Sequence, residues 1–557
     1  MEVKKVIQQG LSEALKTCGV TLASNDVPLE FPTELSHGDY ASGVALKEAK
    51  ATGMNPRALA EKIVAALGTV EGVSKIDIAG PGFINFHLAL TTFAESLKSA
   101  LEKDMWGANE TLKGKKIMVE YTDPNPFKEF HIGHLMSNAI GESLSRLLQF
   151  SGAEVKRANY QGDIGPHVAK AIWAMLQVAP NASGSSAGLG SAYAAGNQAY
   201  ENDPEAKNKI DEINKKIYDK SDEKINQIYK QGREISLAHF EELYEILGTK
   251  FDFYFFESET APKGIAIVKA HPEIFEQSDG AIVYKGEQDG LHTRVFITSK
   301  GLPTYETKDL GLAELKSEKW PFDSSITVTA QEQANYFEVV LAAMRKVLPK
   351  IAPKITHVSH GMMRLTTGKM SSRTGDVITG ESLLNDLIAQ ANTRAAESRS
   401  ENKDKLAQDV AVAAIKYQIL KQASGKDIIF ERERALSLEG DSGPYVQYAY
   451  ARTQAILAKA AEQNVVAKID ASAAPSNLSR QLHRFPEVVE RSATEYEPHI
   501  LTTYLLEIAG EFNSWYAQEQ ILDGTQVAAH KVALTAAVAR TLKNGLWILG
   551  IPTPEKM

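Results

Sequence analysis

Residues 116–134 read KIMVEYTDPNPFKEFHIGH. Lys116 to Tyr121 is a short apolar run suited to a buried strand. Thr122 to Phe130 carries Asp, Asn and two prolines, which is loop chemistry. Met136, Ile140, Leu144 and Leu148 then recur at helical spacing, and Gly152 stands where a helix stops. The reading is strand, loop, helix, and Glu154 to Tyr160 supplies the next strand. That βαβ order predicts a doubly wound parallel sheet with its ligands at the carboxyl ends of the strands. His131 and His134 fall at the helix N-terminus, where free N–H groups and the helix dipole favour anions. By itself the tetrapeptide His-Ile-Gly-His is read more simply as two histidines at a loop–helix junction, one of them in the core.

A second segment changes that balance. Residues 368–375 read GKMSSRTG, bounded by glycines and rich in hydroxyls, a composition for a loop that closes over a ligand. Lys369 supplies a point charge suited to the β- and γ-phosphates of a nucleotide, and Arg373 adds a forked donor. Ser371 and Ser372 add neutral donors beside Met370. In this order the two segments match the paired signatures of class I aminoacyl-tRNA synthetases, which hold ATP from opposite sides. His131 and His134 would then donate to phosphate oxygens whose charge grows in the transition state. Gly133 would let the flat nucleoside approach the backbone.

Composition sets limits. A chain of 557 residues is too long for one core, so two to four domains are expected. The single cysteine, Cys18, excludes an intrachain disulfide and points to a reducing, cytoplasmic setting. The N-terminus has charges inside its apolar pattern and reads as an amphipathic helix rather than a signal peptide. No run of apolar residues is long enough for a membrane span. A net charge of −9 argues against a nonspecific nucleic-acid binder, though RNA read by shape and stacking remains compatible.

Four regions are expected. Residues 1–110 form an α/β domain, with helices at Val3–Lys16 and Pro56–Leu67 and strands either side of Gly80-Pro81-Gly82. Residues 111–380 form a Rossmann-like catalytic domain with an insertion at about 176–260. Its sheet is expected to resume with Gly280–Tyr284, Thr293–Thr298 and Ser325–Thr329. Within the insertion, the Ala/Gly/Ser-rich stretch Pro180–Tyr200 reads as a flexible surface segment, and Asp203–Glu245 as one or two exposed helices. Residues 381–440 read as a helical connector and 441–557 as an all-α domain. Tyr445, Tyr448 and Tyr450 cluster at the start of that domain. They suit base stacking and helix packing equally.

The residues around the motifs narrow the family. Val119–His134 resembles the extended first signature of arginyl-tRNA synthetases, and Gly443-Pro444-Tyr445-Val446-Gln447-Tyr448-Ala449-Tyr450-Ala451-Arg452 the opening of that family's anticodon-binding domain. His37-Gly38-Asp39-Tyr40-Ala41 and Gly80-Pro81-Gly82-Phe83-Ile84-Asn85 resemble its additional N-terminal domain, which touches the tRNA elbow. The chain also ends near the family's usual terminus, at Met557. The resemblance implies an arginine–tRNA ligase that forms arginyl-adenylate from L-arginine and ATP with Mg²⁺, then charges tRNA(Arg). From the sequence itself, no dedicated protein metal cage and no membrane partner are expected, and a monomer is the default expectation, although the sequence does not fix the oligomeric state. The resemblance implies an arginine pocket of Glu120, Asn125, His131, Tyr305, Asp309 and one of Gln331 and Gln333, with tRNA contacts at Tyr445, Tyr448 and Met557. One departure is Gly162-Asp163-Ile164-Gly165, where the family usually has Gly-Asp-Trp-Gly.

Three rival readings are weighed against this one. A synthetase for another amino acid is disfavoured by acidic residues suited to a cationic side chain. A small nucleotidyltransferase lacks the long helical C-terminal region. A non-catalytic tRNA-binding paralogue would not need His131, His134, Lys369 and Asp309 intact. Lys369→Ala is expected to lower the activation rate by the equivalent of about 3 kcal/mol while arginine binding changes little. Single-turnover kinetics test this, and an unchanged rate with only a raised ATP requirement refutes it.

Overall fold

The computed structural model describes residues 3–32, 34–177, 185–366, 378–396, 398, 400–525 and 527–557. The chain divides into two compact units. One comprises 1–106, 453–485 and 510–541, the other 107–452, 486–509 and 542–557.

In the first unit, α1 (Val3–Thr17), α2 (Val44–Thr52), α3 (Pro56–Leu67) and α4 (Leu90–Glu102) accompany an antiparallel sheet of β1 (Tyr40–Ser42), β2 (Val73–Ala79) and β3 (Phe83–Leu88), ordered β1-β3-β2. The expected helices and the Gly80-Pro81-Gly82 hairpin are present; α2, β1 and α4 are additional. Buried Ile7, Leu11, Leu59, Ile63, Ile84 and Phe86 form its core. The His37–Ala41 segment has a structural role here. Gly38 has φ +85°, and a Cβ there would stand 2.6 Å from the Phe86 carbonyl oxygen. Asp39 accepts from the Leu88 N–H at 2.8 Å and from the Arg480 guanidinium.

The second unit runs through β4 (Lys116–Glu120), α5 (Ile132–Phe150), β5 (Glu154–Gln161), α6 (Pro166–Gln177), α7 (Ser186–Asn202), α8 (Pro204–Asp219), α9 (Glu223–Leu247), β6 (Phe253–Phe256), α10 (Glu257–Ala270), β7 (Glu276–Ser278), β8 (Ala281–Tyr284), β9 (Arg294–Ile297), α11 (Tyr305–Lys319), β10 (Ser324–Ala330), α12 (Ala334–Val347), β11 (Ile355–His360), β12 (Met363–Leu365), α13 (Gly380–Ala395), α14 (Lys403–Leu420), β13 (Ile428–Phe430) and the short α15 (Arg432–Ala435). Helices α16 (Gly443–Glu462), α17 (Asn477–Glu495), α18 (Pro498–Gln518) and α19 (Ala528–Ile548) contribute segments to both units.

The central sheet is parallel, with order β11-β10-β4-β5-β6. The chain leaves β4 towards β5 on one side, while β10 lies on the other. This is the switch point at which a doubly wound sheet opens a crevice. Two expectations need correction. Only the third of the three later strands, β10, joins this sheet. Strands β8 and β9 pair antiparallel with each other and β8 with β7, forming a separate sheet over α12. Strands of only four residues are compatible with either sheet, and pairing partners are not written in periodicity.

The Ala/Gly/Ser stretch is also not a loop where it is described. Residues 186–202 form α7, capped by Ser185, whose Oγ accepts from the Gly188 N–H at 3.2 Å. Its small residues let it lie close against α6: a Cβ at Gly196 would stand 2.0 Å from the Lys170 carbonyl oxygen. The isoleucines of α8 and α9 are core rather than exposed, with Ile210, Ile213, Ile217 and Ile225 all buried against α6 and its neighbours.

Helix α5 is held from behind by a buried polar junction. Glu142 accepts from the Tyr121 hydroxyl at 2.5 Å, Arg146 Nε at 2.6 Å and Arg157 Nε at 2.9 Å. Arg146 also donates to the carbonyls of Gly248 and Trp547. Nearby, fully buried Lys416 donates to the Leu247 carbonyl at 2.6 Å and the Gly550 carbonyl at 2.9 Å. Burial, with Arg146 adding repulsion, depresses the Lys416 ammonium to about 7. Between that value and its unfolded value the unfolded chain holds the extra proton, so this group makes stability rise with pH there. Lys416→Met is expected to flatten the rise in melting temperature between about pH 7.5 and about 9.5. Thermal melts of both proteins across that range check it, and parallel curves count against a depressed Lys416.

Candidate active site

The crevice at the switch point is a cavity of about 560 Å³. Its walls come from the ends of β4 (Glu120, Thr122, Asp123), β5 (Tyr160) and β10 (Val328–Ala330), the loop and helix start of the first motif (Asn125, His131, Gly133, His134), and α11 (Tyr305, Asp309). Of the residues singled out from sequence, Glu120, Asn125, His131, Gly133, His134, Tyr305, Asp309 and Gln333 line it. Gln331 is not among the lining residues. The cavity also takes in Glu257, Arg294, Tyr336, Phe337 and His360, which sequence reasoning missed. Glu257 carried a usable signal, since it directly follows β6 at a strand's carboxyl end.

His131 is the N-cap of α5 and His134 its third residue. The His131 N–H donates to His134 Nδ1 at 3.2 Å, which fixes His134 as the tautomer carrying its proton on Nε2. The two rings stack at 3.5 Å between centroids. A Cβ at Gly133 would stand 3.1 Å from His131 Nδ1, so glycine leaves the stack room. Desolvation, with the charge of Lys128 adding, lowers His131 to about 4; burial and its neighbours push His134 well below the usual imidazole value. Both rings are therefore neutral donors at neutral pH. They offer hydrogen bonds at a helix N-terminus without a fixed charge.

The opposite wall is acidic. Helix α11 is pressed onto α10 by a pair of glycines. A Cβ at Gly264 would stand 1.8 Å from the Thr307 carbonyl oxygen, and one at Gly311 2.1 Å from that of Thr260. The close crossing brings buried Lys308 to Glu257 at 2.5 Å, and Lys316 on the same helix pairs with buried Glu120. Arg294 stands 3.5 Å from Glu306. Among the described residues no cation pairs with Asp309; it accepts from the Tyr336 hydroxyl at 2.6 Å. Burial, reinforced by Glu120, Glu257 and Glu306 and opposed by the Tyr336 hydrogen bond, raises its carboxyl to about 7. Asn125 is pinned by Gly162, where a Cβ would stand 2.2 Å from Asn125 Oδ1. Neighbouring Asp163 is buried and accepts from Arg233, Tyr229 and Ser258. Its carboxylate therefore organises that wall, whatever residue follows it.

Lys369, Met370, Ser371, Ser372 and Arg373 lie outside the described residues. The chain returns from that segment beside the first motif: the Gly380 N–H donates to the Phe130 carbonyl at 2.7 Å, and a Cβ at Gly380 would stand 2.8 Å from the His131 carbonyl oxygen. Of the three tyrosines on α16, Tyr450 is core, whereas Tyr445 and Tyr448 are half-buried. The Arg452 guanidinium lies 4.9 Å from the Tyr448 ring centre. Met557 is half-buried.

Three family models match the chain: the class I (R) tRNA synthetase catalytic domain over residues 96–432, the DALR anticodon binding domain over 446–557, and the arginyl tRNA synthetase N terminal domain over 2–88. A curated arginine–tRNA ligase of Pseudomonas fluorescens is 32% identical, with 100% of this chain and 99% of that protein aligned. One of Clostridium perfringens is 30% identical over 100% of both. Among solved structures, the arginyl-tRNA synthetase of Thermus thermophilus superposes with a TM-score of 0.84 at 26% identity, covering 100% of both chains. With a catalytic-domain match over more than half its length and full-length relatives at this identity, the chain belongs to the arginyl-tRNA synthetase family of class I aminoacyl-tRNA synthetases.

Proposed function

We infer that this protein works as an arginine–tRNA ligase through the crevice between β4 and β10. L-Arginine and ATP bind side by side. The arginine carboxylate attacks the α-phosphate, pyrophosphate leaves, and the arginyl group passes to the terminal adenosine of tRNA(Arg). The observation that carries the reading is Asp309, a carboxylate facing a cavity with no cationic partner of its own among the described residues, beside exposed Tyr305. A guanidinium is planar, permanently charged and rich in donors, and it completes such a site. In this reading Glu120, Asn125, Tyr305, Asp309 and Gln333 surround the amino acid. His131 and His134 donate to the nucleotide phosphates, and Lys369 with Arg373 neutralises the leaving pyrophosphate. No side-chain nucleophile is required; the residues position the reactants and stabilise developing charge. Mg²⁺ travels with the triphosphate as part of the nucleotide substrate. Half-exposed Tyr445 and Tyr448 with Met557 face the tRNA, and the enzyme acts as a cytoplasmic monomer.

The direct test mixes the protein and ATP with total tRNA and each labelled amino acid in turn. Arginine alone should become acid-precipitable, and charging of a different amino acid overturns the reading. Pyrophosphate exchange with arginine is expected to require tRNA, and full exchange without it refutes that step. Asp309 adds a pH signature. Arginine needs the ionised carboxylate, so below about pH 7 binding must first expel a proton, and the arginine KM is expected to fall as pH rises, by up to about tenfold per unit below that value. Asp309→Asn should raise the arginine KM at least about tenfold by removing a buried charge partner, and should weaken the pH dependence while the ATP KM moves little. An arginine KM independent of pH in the wild type would sink this assignment.

A further inference from the structure

Asp123 lines the same cavity but has no role in the reading above. Beyond Glu120 the chain leaves the sheet through two consecutive left-handed residues, Thr122 at φ +77° and Asp123 at φ +48°. The Tyr121 N–H still donates to the Ala158 carbonyl, but past that point β5 has lost its neighbour on this side. Asp123 Oδ1 takes over, accepting from the Tyr160 N–H at 2.7 Å. This explains an acceptor at the position. It does not explain a charge. An asparagine amide oxygen would cap the same N–H, and asparagine adopts the left-handed region readily. The carboxyl, by contrast, is pushed well above its usual value by desolvation and by Glu120 and Asp309, while Lys316, which acts on it in the opposite sense, already pairs with Glu120. A group held in this way carries a proton in the empty cavity and gives it up when a cation enters.

The acceptors available to a guanidinium lead to the same place. Asp309 Oδ2 is occupied by the Tyr336 hydroxyl, and Glu120 is tied to Lys316. A guanidinium brings five N–H donors. We propose that Asp123 is a specificity-determining residue of the arginine pocket: its second carboxylate oxygen accepts from the substrate guanidinium alongside Asp309, while its first holds the Tyr160 backbone in register. The proposal rests on arginine being the substrate.

The test uses the full-length enzyme with tRNA and ATP. Asp123→Asn keeps the cap and removes the charge. The arginine KM should rise at least tenfold, the ATP KM and melting temperature should stay at wild-type values, and the preference for arginine over citrulline should shrink. Asp123→Ser, which retains an oxygen for the Tyr160 N–H, should show the same arginine-specific loss. This second variant decides the matter if the first does not fold. Asp123→Ala should lose stability as well. Wild-type arginine kinetics in Asp123→Asn or in a folded Asp123→Ser would reduce Asp123 to a backbone cap and overturn the proposal. Failure of the wild type to charge arginine would instead overturn the substrate reading, before any variant is made.

Discussion

The site depends on how charge is distributed along one helix. Lys308 and Lys316 of α11 are buried and neutralise Glu257 and Glu120, the carboxylates at the ends of two strands. Asp309 sits between them, with a tyrosine hydroxyl as its partner among the described residues. Removing either lysine would leave an uncompensated buried carboxylate, a loss of about 3–5 kcal/mol. The helix therefore performs two opposing tasks. It stabilises the fold by pairing two acids, and it leaves a third without a described cationic partner, as the proposed guanidinium contact requires. The Gly264–Gly311 crossing makes both possible, because any side chain there would lift α11 from α10 and withdraw the lysines.

The first motif answers the acidic wall with neutral groups. His134 is locked in one tautomer by the His131 N–H, and both imidazoles are held uncharged. Neutral donors at a helix N-terminus suit the proposed triphosphate contact, because they do not compete for the cavity's carboxylates as cationic histidines would. Behind them, Glu142 joins α5 to Tyr121 and to Arg157 on β5, so the helix that carries the histidines is tied to the strand end that carries Glu120. The position of Gly380 against Phe130 and His131 brings the downstream end of the second motif's segment to the same place.

Much of this was legible along the chain. The strand–loop–helix at 116–150 was readable because period and punctuation change sharply there, and the helices after 380 because their apolar spacing is regular. Pairing was not legible: β8 and β9 carry strand-like residues but belong to another sheet. The Ala/Gly/Ser stretch misled for a related reason. Small residues signal a flexible linker when solvated and close helix contact when covered, and Gly196 against Lys170 is the second case. In the site, most lining residues read from sequence lie inside recognisable motifs, although Asp123 in the first motif carries no local mark of its place in the cavity. Tyr336, Phe337 and His360 enter the cavity from elements whose sequences carry no local mark of it.

The sequence by itself determined the chemistry available: two histidines at a helix start, a basic hydroxyl-rich loop, and acidic residues suited to a cation. These follow from short-range rules, since capping, helix period and loop composition are local properties of the chain. Only the tertiary structure decided which carboxylates are free to act. Glu120 and Asp309 look equivalent in sequence, yet one is tied to Lys316 and the other is not, and Asp123 was indistinguishable from a loop residue until β5 lay beside it. Ionisation depends on burial and on charges brought together from distant parts of the chain. Those distances exist only after folding.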